Sequence, residues 1–185
     1  MNSENTDRAI ALTASDTSHA TPIAGGSPLT AELLIDHAEL VRIADAIDAG
    51  VDAKDWAFTR SLFTDEIEVD FTSLVGGAPA KIPADSLIEG WAGNLTAEKT
   101  SFHLRGNHRI TFHDRQNATM LSHGYAWNQM ARGGRDENGG NPMWEVWGVY
   151  SHSFVRAPDG WKVNAMSLSV TAERGNPFVR NTAGS

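Results

Sequence analysis

No cysteine occurs in the 185 residues, which excludes disulfides, thiolate nucleophiles and cysteine-based zinc sites together. Basic residues are in the minority. Fifteen Lys and Arg against 23 Asp and Glu give a formal charge of −8 and a pI near 5.3. Nucleic acid wants a basic face, and no Lys/Arg run offers one to an anionic membrane surface either. No stretch of roughly 18 apolar residues is present, so no spanning helix is expected. The N-terminus lacks a basic region followed by an apolar segment, so no secretory signal is expected and the expected location is cytoplasmic. HExxH, GxGxxG, P-loop and GxSxG patterns are all missing, which leaves chemistry without cofactor or metal, or no chemistry.

What is present is ordinary for one soluble domain: 41% hydrophobic and 21% charged residues, in a chain long enough for one good core and too short for two. Six Trp suit a wide apolar cavity, although core packing explains them equally well. Residues 1–27 are polar and small with no period, and read as a mobile arm. Residues 28–175 form the domain, and 176–185 a polar tail over the surface or a neighbouring subunit. Thr30 is placed to cap a first helix whose face is Leu33, His37, Leu40, Ala44, Ile47 and Val51. Gly50 loosens its end, and a shorter helix follows from about Ala53 to Phe63.

Ile67, Val69 and Phe71 alternate with Glu66, Glu68 and Asp70 as in a half-buried strand. A Gly/Pro-rich connection over Gly76–Pro83 leads to a helix from about Ala84 to Asn94. Four strands follow, over Ser101–His113, Ala118–Arg132, Met143–Arg156 and Trp161–Thr171. Their connections are a polar turn, a loop over Gly133–Pro142 and the turn Pro158–Asp159–Gly160. Helices first and hairpin-linked strands after them predict an α+β fold. Its expected form is a cone-shaped, strongly curved antiparallel sheet with the N-terminal helices on the concave face, enclosing one cavity.

Two residues stand out for chemistry. Asp52, at a helix junction, is equally well read as an N-cap, and Asp48 beside it reads as a solvated helix residue. His103 lies mid-strand, where a histidine is commonly a satisfied half-buried residue. If the two meet, the carboxylate orients the imidazole and stabilises its cation, which makes a proton-transfer pair. Period-two spacing puts Arg105 and Asn107 on the His103 face, where either is suited to steady developing negative charge. His103 and His108 are an odd number apart and are expected to face opposite ways. The same parity puts Phe71, Trp144 and Tyr150 in the pocket wall, with Asn107 or Tyr150 offering a hydrogen bond.

Ile43–Trp56, then Leu62–Phe63 and Ile67–Phe71, resemble the opening of the SnoaL-like family of the nuclear transport factor 2-like superfamily. Phe102–His108 is similar to that family's histidine strand, Gly148–Val163 to its closing hairpin, and Gly175–Asn176–Pro177 to its C-terminal motif. Among its relatives the chain looks most like scytalone dehydratase and hexachlorocyclohexane dehydrochlorinase. Their Asp–His pair falls on Asp52 and His103. Phe71 and Val51 stand where the dehydratase places tyrosines, Asn128 or Gln129 where it places a second histidine, and Met166 near an arginine of the dehydrochlorinase. The resemblance implies a cofactor-independent lyase acting by proton abstraction on a small, largely apolar cyclic substrate. The same pair also suits an isomerase or cyclase, and the superfamily holds non-catalytic binders and scaffolds. The broad apolar face of such a sheet wants cover and predicts a homo-oligomer, for which the resemblance implies a trimer before a dimer. The acidic charge predicts no nucleic-acid or membrane partner.

Overall fold

The computed structural model describes residues 30–130 and 142–181. The expected N-terminal arm and the loop before Pro142 lie outside the described residues. Helix α1 (Ala31–Ala53) starts where Thr30 Oγ1 accepts the Leu33 amide at 3.2 Å. It continues through Gly50 without breaking. The glycine instead permits a close approach, because a Cβ there would collide with Thr59 Oγ1 of the next helix, α2 (Trp56–Ser61). The turn between them closes on Lys54 in the left-handed conformation (φ 57°). Asp55, and not Asp52, caps α2, its carboxylate accepting the Phe58 amide at 3.0 Å.

Next come β1 (Phe63–Asp70), the short α3 (Thr72–Val75) and β2 (Ala80–Pro83), a strand inside the segment expected to be only a connection. Helix α4 (Ala84–Asn94) follows, then β3 (Lys99–Phe112), β4 (Asn117–Met130), β5 (Met143–Ala157), β6 (Gly160–Gly175) and α5 (Pro177–Asn181). The sheet order is β2-β1-β6-β5-β4-β3. The long strands pair antiparallel as expected, but β1 runs parallel to β6, so the sheet is mixed. The helices between β1 and β3 carry the chain across the molecule, and β1 returns to the sheet beside its last strand. The expected polar tail is also corrected over its described part. Its residues 177–181 form α5, which buries Val179 completely, and β6 runs on to Gly175 past the Thr171 expected as its end.

Helix α1 lies in the concavity. Leu40, Ile43, Ala44, Ile47 and Val51 pack with Met120, Phe154, Val163 and Leu168 of the sheet's inner face in one core cluster. Burial of apolar surface is the main stabilising term here. Strict alternation along β5 sends Trp144, Val146, Tyr150, His152 and Phe154 inward. On β6 the inward set changes phase, Trp161 and Val163 and then Met166 and Leu168, because a register shift falls between Ser153 and Phe154 of β5. At the N-terminal end, Asp36 takes the Arg156 guanidinium at 2.6 Å and the Trp161 indole N–H at 3.1 Å, which ties the helix to the last hairpin. Among the described residues no helix is long and apolar enough to cross a membrane.

His152 is the unusual core member. It is fully buried between the rings of Tyr150 and Phe154, and neither ring nitrogen has a hydrogen-bond partner. Burial, then the charges of Arg105 and His108, hold it neutral far below the ordinary histidine range. Unfolded His152 protonates near pH 6.5 while the folded one does not, so folding stability falls as pH drops below that value. Replacing His152 with Met should flatten the stability-versus-pH curve between pH 6.5 and 5 by up to one proton's slope. Urea unfolding at several pH values checks this.

Candidate functional site

The site begins with a helix–strand match. Asp45, Asp48 and Asp52 recur at spacings of three and four and so share one face of α1. Each meets a basic residue of β3. Asp52 pairs with His103, Asp48 with Arg105 and Asp45 with His108. The helix rises about 1.5 Å per residue and a strand about 3.3 Å. Four helical residues therefore span about the same length as two strand residues, which brings Asp48–Asp52 alongside Arg105–His103. Three helical residues do not match the three strand residues from Arg105 to His108 unless the strand is shortened. A bulge supplies the shortening. The β3–β4 register slips between Gly106 and Arg109, and Asn107 takes a left-handed backbone (φ 54°).

That bulge corrects two expectations. It restores His108 to the helix side with His103, and its Nε2 stands 3.3 Å from Asp45 Oδ1 without good hydrogen-bond alignment. It also turns Asn107 out of the pocket. Asn107 is exposed, with its amide nitrogen 3.0 Å from His123 Nδ1.

Asp52 holds His103 twice. One carboxylate oxygen accepts the His103 backbone N–H at 2.7 Å, and the other lies 2.7 Å from Nδ1. Burial alone would raise the Asp52 pKa, but the hydrogen bonds and charge of His103 outweigh it and hold the carboxyl below its ordinary value. An ionised carboxylate only accepts, so Nδ1 carries the proton, and in the neutral ring Nε2 keeps a free lone pair.

His103 opens on a cavity of about 420 Å³ between α1, α4, α5 and the sheet. Of the residues expected there, Phe71, Trp144 and Tyr150 line it with His103, joined by Val51, Leu74, Trp91 and Leu168. Trp144 is held by its indole N–H, which donates to Glu173 at 3.1 Å. The polar wall was not legible in the sequence. Asp48, expected to be solvated, is buried, with Arg105 donating to its two carboxylate oxygens at 2.9 and 2.5 Å.

Asn128 also lines the cavity, its side-chain oxygen enclosed and without a hydrogen-bond partner. An enclosed acceptor of that kind is costly unless something donates to it, so it suits a ligand hydroxyl or amine. At the far end Asn94 donates to the Arg180 carbonyl at 3.1 Å and accepts from Lys99 Nζ at 2.7 Å. Burial, with the Lys54 charge behind it, pulls Lys99 down to about 8. The one sequence signal that could have found Asp48 was its spacing of four from Asp52, matched to the spacing of two between Arg105 and His103.

A family model described as a SnoaL-like domain matches residues 32–167. Solved structures share the fold. A Kribbella flavida protein superposes at a TM-score of 0.71 with 24% identity, over 79% of this chain and 97% of that one. A Novosphingobium aromaticivorans protein provisionally named a scytalone dehydratase gives 0.65 with 18% identity, over 77% and 89%. A type 3 hexachlorocyclohexane dehydrochlorinase from Novosphingobium barchaimii gives 0.60 with 15% identity, over 76% and 90%. At these identities the likeness is one of fold. No curated protein matches the sequence significantly.

The Asp48–Arg105 pair is almost wholly enclosed, with side-chain exposures of 11% and 2%. Removing Arg105 alone strands a buried carboxylate and should cost about 3–5 kcal/mol. The double change Asp48→Asn with Arg105→Met leaves no lone charge and should cost distinctly less. Urea denaturation of the three proteins measures the difference.

Proposed function

The chain belongs to the SnoaL-like domain family, and on that footing we propose that it is a cofactor-independent lyase. It removes a proton from a small, largely apolar cyclic substrate and expels water or a related leaving group. The observation that carries the reading is the double hold of Asp52 on His103 at the cavity. Nε2 of His103 takes an acidic C–H proton, and the ionised Asp52 stabilises the imidazolium that forms. The apolar walls keep water away and strengthen that electrostatic support. Two of the proteins with similar folds carry the names of eliminating enzymes, a dehydratase and a dehydrochlorinase.

Isomerisation and cyclisation begin with the same proton abstraction, and the products formed separate them from elimination. A homotrimer is part of the proposal. Phe102 and Leu104 are 44% and 60% exposed on the outer sheet face and want cover, and sedimentation tests it.

A panel of hydroxylated and halogenated cyclic compounds, followed by NMR for elimination, and 2-tetralone in D2O for exchange at its acidic carbon, tests the chemistry. His103→Gln should slow turnover or exchange by about 100-fold or more, with Asp52→Asn also impaired. Wild-type protein that accelerates neither reaction anywhere on the panel would point instead to a non-catalytic binder.

A further inference from the structure

Tyr150 sits in a slot that only a few residues could make. One edge of its ring lies against Gly124 of β4, where a Cβ would collide with the ring carbons Cδ2 and Cε2. The Arg105 guanidinium lies over the ring, 4.1 Å from its centroid. Arg105 is itself fixed by Asp48 and reaches Ser122 at 3.4 Å, and Ser122 is the cross-strand partner of Tyr150. The ring therefore has one orientation. Tyr150 lines the same cavity as His103, and among the described residues no side chain or backbone group hydrogen-bonds its hydroxyl.

We propose that Tyr150 donates a hydrogen bond to an oxygen of the bound substrate across the cavity from His103, and that Gly124, Arg105 and Asp48 are the positioning residues that aim it. The inference rests on reading this cavity as a substrate site. It assigns a second function to an ion pair that takes no proton in the abstraction by His103.

Preorganisation explains why a buried charge pair is placed here. A phenol on a freely turning ring loses rotamer freedom on binding, whereas a clamped one does not. The cation over the ring also draws electron density from the hydroxyl and makes it a better donor. Burial pushes the phenol up to about 12, the nearby Arg105 charge partly opposing this, so the proton to be donated stays in place at neutral pH. The selectivity that follows is for a ligand carrying a carbonyl or hydroxyl oxygen over an equally large hydrocarbon.

The test uses 2-tetralone and tetralin, which share a bicyclic skeleton and differ by one carbonyl oxygen. The cavity tryptophans Trp91 and Trp144 report binding by fluorescence. Wild-type protein should prefer the ketone. Tyr150→Phe should cut that preference about five- to tenfold through the ketone alone. The double variant Asp48→Asn/Arg105→Met should cut it similarly, and should add nothing when combined with Tyr150→Phe. Gly124→Ala, which forces the ring to move, should also lower it, and this arm decides the question should the double variant fail to fold.

A preference unchanged by Tyr150→Phe, a double variant that weakens both ligands equally, or wild-type protein that binds neither probe would overturn the proposal. Ketone preference without exchange in D2O would sink proton abstraction and leave this inference standing. Exchange without ketone preference would sink this inference alone.

Discussion

The structure depends on the fit between the acidic face of α1 and the basic residues of β3. Three carboxylates at helical spacing meet two histidines and an arginine at strand spacing. The two periods agree by length over Asp48–Asp52, and the match extends to Asp45 because a bulge at Asn107 shortens the strand. The contact of Asp45 with His108 is half open to solvent through Asp45, and solvent-exposed pairs contribute little to stability. The Asp48 pair is enclosed. What it supplies is position, since a buried bidentate contact tolerates no slippage of the helix along the sheet. Asp52 and His103 thereby sit opposite each other on every folded molecule.

A cavity beside such a core needs a reason to stay open. Here it lies where α1 ends and the sheet curls past it, roofed by α4 and by α5. Large rings form its walls, and rings span space without filling it. Phe71 and Phe63 both meet Trp91 edge-on, at 6.4 and 6.0 Å between centroids, so the ring most able to swing inward is held from two sides. The far end is polar, with Lys99 donating to Asn94 and Arg180 paired with Glu173.

Much of the fold was legible because its signals are local. The Thr30 cap, the apolar face of α1, the bounds of α4 and the turn at Gly160 each follow from side chains within a few positions. The meeting of Asp52 with His103 came from resemblance, because nothing in the 51-residue separation sets a distance between them. Strand parity carried Trp144 and Tyr150 inward correctly. It failed at Asn107 because a single left-handed residue reverses it, and asparagine is among the few that tolerate that conformation. The parallel return of β1 beside β6 is a long-range choice with no local mark. Asp48 was misjudged for the same reason, since its partner is 57 residues away.

The close fit between Gly124 and Tyr150 also constrains how this chain can change over generations. A lineage cannot gain a side chain at Gly124 while the ring beside it remains, and shrinking the ring first opens a void that nothing fills. A substitution at either position is therefore coupled to the other. Each route away from the present pair passes through a poorer intermediate, so a change of ligand is more readily reached at the other cavity walls, with this corner left as it stands.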